Sequence, residues 1–103
     1  MSTTSFSDFL GHRRRGVILG ALASVAHGTA AADDVLQRYL LSIGMRTPMD
    51  DVRSDLTWMA ERGLVNTGQA GRHTTAEITT KGREVVQRLV TVPGVDVTDV
   101  PGS

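Results

Sequence analysis

Residues 47–67, TPMDDVRSDLTWMAERGLVNT, read as a capped helix that turns directly into a β-strand. Thr47 offers a side-chain oxygen to the unpaired N–H groups of a helix start. Pro48 has its φ preset for the first helical position, and Asp50 and Asp51 set negative charge against the positive helix end. At about 100° per residue, Met49, Val52, Leu56, Met59 and Ala60 gather on one side, with Asp50, Ser54, Thr57 and Glu61 on the other. One face is therefore core, and the other is left to water or a partner. Gly63 suits the left-handed position that ends a helix, with Leu64 as the apolar contact that follows it. Beyond it, LVNT and HTTAEIT flank the turn-rich GQAGR, the pattern of a short hairpin after a helix.

Working upstream, the stretch from Ala32 to Ile43 carries Val35, Leu36, Tyr39, Leu40 and Ile43 at the spacing of an amphipathic helix. Gly44 ends it, and only Met45 and Arg46 separate it from Thr47. Two helices joined so briefly predict a helix-turn-helix in which the second is presented to a groove. With the hairpin, the reading is a mainly α chain with a small β-hairpin (α+β), a winged helix-turn-helix. An earlier helix is expected from Ser7, as N-cap, to about Ala26, burying Phe9, Leu10, Val17, Ile18, Ala21, Leu22 and Val25 and weakened by Gly11, Gly16 and Gly20. A last helix opens around Thr80 and buries Val85, Val86, Leu89 and Val90. Residues 1–92 are thus expected to form the winged-helix domain. Residues 93–103 form a tail or arm, and their proline, glycine and aspartate content favours a flexible tail.

The 103 residues have room for one domain, and 40% hydrophobic with 21% charged residues is an ordinary globular composition. Eleven basic and 11 acidic side chains cancel, so nucleic-acid binding has to come from a local patch. The apolar run from Val17 to Ala26 follows a basic cluster but is too rich in glycine and alanine for a signal peptide, and no segment supplies the roughly 20 apolar residues of a membrane span. Cysteine is absent, which is compatible with a cytoplasmic location.

No nucleophile elbow, zinc-binding histidine pair or phosphate-cradling glycine loop is present, and His12, His27 and His73 are scattered without ligand spacing. No catalytic residue, metal, cofactor or small-molecule substrate is expected. For double-stranded DNA, Arg46 and Arg53 flank the outward face of the third helix, Ser54 and Thr57 would sit near base edges, and Arg72 and Lys81 would meet backbone from the wing. Asp50 and Glu61 on the same face oppose a phosphate-lined groove. The run His12 to Arg15 reads as a solvated helix turn whose arginines lay their stems on neighbours, the alternative being a phosphate-contacting patch. Trp58, at the edge of the apolar stripe, either caps the core against the first helix or tail, or makes a partner or dimer contact. A homodimer is expected, and it would double the phosphate contacts.

The run DDVRSDLTWMAERGLV followed by EITTKGREVV resembles the small winged-helix proteins of Mu-like prophages that are labelled ArsR-type transcriptional regulators. The likeness extends from the FxDFLxxxRR stretch to the VPGV near the C-terminus. Its most specific pieces are Val52, Arg53, Asp55, Leu56 and Trp58, then Thr79, Lys81 and Gly82. The resemblance implies a winged-helix fold and a phage or prophage setting. The metal-sensing cysteines of ArsR repressors have no counterpart here. Two functions follow as expectations: a phage-type, DNA-binding transcriptional regulator, or a winged-helix protein-interaction module serving phage assembly or packaging. A continuous positive face across the third helix and the wing is needed by the first alone.

Overall fold

A computed structural model describes residues 5–98 and Val100. It is an α+β fold of four helices and a three-stranded antiparallel sheet. In chain order the elements are α1 (Phe6–Ala23), β1 (Ala31–Ala32), α2 (Asp33–Ser42), α3 (Met49–Glu61), β2 (Val65–Ala70), β3 (His73–Ile78) and α4 (Thr80–Val86).

Helix α1 starts on Ser5, whose hydroxyl accepts from the Asp8 N–H at 3.0 Å, so the cap lies two residues before the expected Ser7. Its core face is also rotated from the expected stripe. Ile18, Leu19, Leu22 and Ala23 are buried, while Phe9, Leu10 and Val25 are exposed. In α3 the expected face holds, with Val52, Leu56 and Met59 fully buried and Asp50, Ser54, Thr57 and Glu61 exposed. Its start differs by one position: Pro48 is the N-cap, and the Thr47 hydroxyl turns back to donate to the Met45 carbonyl at 2.9 Å. Gly63 takes φ +73°, and the Leu64 N–H returns to the Met59 carbonyl at 2.9 Å, closing the helix end as the sequence suggests.

The hairpin is longer and its turn tighter than expected. Ala70 pairs with His73, leaving Gly71 and Arg72 as a two-residue connection with Gly71 at φ +62°. The strand β1, unforeseen because two alanines carry no periodicity, pairs Ala31 with Ala76 and Ala32 with Thr75. The sheet order is β1-β3-β2. Helix α4 ends at Val86, short of Leu89, because Arg88 turns the chain at φ +63°.

Where composition favours a flexible tail, the described residues after α4 lie on the body. The Asp96 N–H donates to the His12 carbonyl at 2.9 Å, and Arg88 donates to the carbonyls of Val97 (2.6 Å), Thr98 (3.1 Å) and Val100 (2.7 Å). Gly16 makes this approach feasible: a Cβ there would collide with the Asp96 carbonyl. Gly20 likewise faces the Val100 side chain. The glycines that weaken α1 as a helix thus open a seat for this segment. Among the described residues, no helix is long and apolar enough to cross a membrane.

Candidate nucleic-acid interface

Two buried carboxylates decide which arginines remain free. Asp33, the first residue of α2, is fully buried. One of its oxygens accepts from Arg53 Nε at 2.8 Å and from the Thr74 N–H at 3.0 Å, and the other meets His73 Nδ1 at 2.9 Å. Burial alone would raise its pKa. The bonds from Arg53, the Thr74 amide and His73, together with the Arg53 charge, outweigh that and hold the carboxyl well below the usual carboxylate range. Asp33 therefore ties α2 to α3 and to the hairpin.

Asp55 does the same between α1 and α3. It is 2% exposed, pairs with Arg14 Nε and accepts from Arg14 and Arg15 Nη atoms at 3.2 Å. The bond to Asp55 raises the Arg14 pKa, its charge adding to the effect. Trp58 carries two guanidiniums over its ring, Arg15 at 4.3 Å and Arg62 at 3.6 Å from the centroid, and Gly94 of the final segment lies close against it. Trp58 is half-buried and lies against Arg15 of α1 and Gly94 of the final segment, the surroundings expected of a residue that caps the core against the first helix or tail.

The expected DNA contacts divide accordingly. Arg53 is committed to Asp33, its far nitrogen reaching the Arg72 carbonyl at 3.4 Å. Lys81 donates to the Arg62 carbonyl at 3.1 Å, finishing α3. Ser54 and Thr57 are exposed, but the exposed residues around them are Asp50, Asp51 and Glu61. Arg83 and Arg88 are spent on backbone carbonyls. Among the described residues, only Arg38, Arg46 and Arg72 of the basic side chains take part in no hydrogen bond or ion pair.

Arg46 precedes α3, Arg72 occupies the hairpin tip, and Arg38 was not anticipated from the sequence. Arg38 lines an open pocket of about 570 Å³ with Gln37, Leu41, Arg46, Thr47 and Pro48. Gln37 Nε2 donates to the Thr47 carbonyl at 3.0 Å, so the pocket wall is fixed before any ligand arrives. The only signal for Arg38 is its place on the polar side of α2, a property shared by most helical arginines. The face is thus positive at its two ends and negative along its middle. Such a surface can hold anionic oxygens at the flanks of α3 and repels them from its centre.

Asp33, Asp34 and His73 also bring ligand atoms within 4.8 Å of one another. A cation there would share Asp33 with the Arg53 guanidinium and the Thr74 N–H, so the cluster serves as an internal anchor. No protein-family model, curated protein or solved structure matches the chain.

Proposed function

We propose that the chain is a non-enzymatic winged helix-turn-helix protein of phage type that binds double-stranded DNA, holding the backbone by arginines on either side of α3. The element order, a helix-turn-helix followed by a hairpin with β1 closing the sheet as β1-β3-β2, supports the winged-helix reading. The observation that carries the DNA reading is the distribution of unpaired cations: Arg38 on α2 and Arg46 at the turn into α3, which line one pocket, and Arg72 at the wing. Backbone contacts position without specifying, and the carboxylates exposed along α3 around Ser54 and Thr57 oppose its approach to base edges. Binding is therefore sequence-tolerant and salt-sensitive, and regulation rests on occupancy more than on tight operator recognition.

The test is affinity for duplex DNA over a salt series. Three phosphates per protomer give a log–log slope of about −3, at roughly −0.9 per phosphate, and Arg38→Ala, Arg46→Ala and Arg72→Ala each flatten it by about one. A folded protein that binds no duplex at low salt overturns the proposal.

A second reading, the protein-interaction module, is favoured by the negative middle of α3 and by the apolar outer side of α2. There Val35, Tyr39 and Ile43 are 53%, 44% and 47% exposed.

A further inference from the structure

Helix α1 is apolar on two sides. Its core side is occupied, yet along another side Phe6, Leu10, Val17 and Ala21 recur at spacings of four, seven and four, which places them in one line along the helix. Phe6 and Leu10 are exposed, and Val17 and Ala21 half-buried, Val17 touching the edge of the core. Phe6 is 74% and Leu10 37% exposed, and Phe6 stacks with Phe9 at 6.5 Å between ring centroids to form a projecting aromatic pair. At the other end of the same helix, Ala21, Val25, Ala31, Val35 and Tyr39 line an apolar groove of about 210 Å³. Knob and groove are fifteen residues apart, about 22 Å along the helix.

We propose that a second copy of this chain docks α1 against α1, antiparallel about a two-fold axis near residues 13 and 14, each Phe6–Phe9 pair filling the other copy's groove. Reciprocity argues for this occupant. A two-fold contact needs the same patch to be self-complementary, and here the knob and its receptacle lie on one helix at opposite ends of one stripe. In this register Phe6 meets Ala21 of the second copy and Leu10 meets Val17.

Area and charge both permit it. Full burial of the exposed parts of Phe6, Phe9, Tyr39, Leu10, Val25 and Val35 covers on the order of 1,000 Å² over both copies, the threshold for a specific interface. Arg13 and Arg14 cross at the axis, but each is compensated within its own chain. Arg14 is paired with Asp55. Arg13 acts on Asp96, a carboxyl held low by the Thr98 hydroxyl and N–H and, to a smaller extent, by Arg13. The interface supplies the homodimer that would double the DNA contacts, and it stands without the DNA reading.

The experiment is sedimentation equilibrium of the full chain without DNA, with circular dichroism to confirm folding. Wild type should sediment at twice the chain mass at about 100 μM. Phe6→Glu removes the knob and Val35→Glu charges the groove, and each should weaken association about tenfold or more. Both sites are exposed, so folding is spared. Leu41→Glu, 56% exposed on the other side of α2, should leave the dimer intact. A monomeric wild type overturns the proposal. So does a dimer that survives both changes, or one that loses only to Leu41→Glu. A dimer broken by Phe6→Glu but not by Val35→Glu overturns the register.

Discussion

Arg14 and Arg15 on α1 converge on Asp55, whereas Arg38 on α2 and Arg46 at the turn into α3 meet no carboxylate among the described residues. The α1 side of the molecule holds the densest run of positive charge in the sequence and yet uses it inside, to clamp α1, α3 and the final segment together. The wing side has its arginines dispersed through the chain and leaves three of them to solvent. A count of charges along a sequence therefore says little about a binding surface. A buried aspartate removes its neighbours from that surface, and what remains is set by where such aspartates lie.

The largest effect that could break this contrast is at Asp55. Asp55→Ala leaves Arg14 and Arg15, whose side chains are only 19% and 14% exposed, without their counter-charge, and should cost about 3 to 5 kcal/mol by chemical denaturation. Arg46→Ala should leave the same denaturation midpoint unchanged. Equal losses would mean that the arginines of the two sides are not used differently.

Next comes the core beneath the interface. Leu56 is fully buried and its neighbour Thr57 exposed, so Leu56→Ala should cost about 2 to 5 kcal/mol through the cavity left behind, and Thr57→Ala very little. This pair measures the rotation of α3, on which the outward position of Ser54 and Thr57 depends.

A smaller, pH-dependent effect belongs to Asp33. Its pKa is depressed in the folded state, so its contribution is present above the ordinary aspartate range of about 4 and is lost as pH falls through the folded value. Asp33→Asn should lower stability at neutral pH and flatten the loss of stability below about pH 4, followed by thermal melts at stepped pH. An unchanged acid limb would show that Asp33 does not hold α2, α3 and the wing together through its charge.

The sequence made α3 legible because its apolar positions recur at one helical period and its ends are marked by Pro48 and Gly63, all local signals. Helix α1 was harder for a physical reason. It is apolar on both sides, so periodicity finds the helix but cannot choose which side faces the core. Periodicity alone therefore puts Phe9 and Leu10 inside, whereas both are exposed. The strand Ala31–Ala32 owes its existence to pairing with β3, more than 40 residues away in sequence, and the burial of Asp33 depends on the same meeting. Of the candidate contacts, Arg46 and Arg72 were readable from their places before α3 and at the turn. Arg53 and Lys81 were not separable from them, because Asp33 and the Arg62 carbonyl reach them only through the fold.

The smallest expected effect bears on what the middle of the wing side does. Ser54 and Thr57 are the neutral polar groups exposed on α3, with Asp50, Asp51 and Glu61 exposed around them. If the flanking arginines carry the DNA contact, Ser54→Ala and Thr57→Ala should change affinity for random duplex by less than about twofold, since backbone contacts set the position and these side chains make none. They should also leave unchanged the ranking of different DNA fragments, measured by competition at one salt concentration. Arg72→Ala, by contrast, should weaken all fragments in parallel, because a phosphate contact is indifferent to sequence. A Thr57→Ala protein that binds random duplex normally but no longer discriminates among fragments would show base reading from a helix whose carboxylates oppose it. In that case the difference between the two sides of the molecule would lie in specificity as well as in charge.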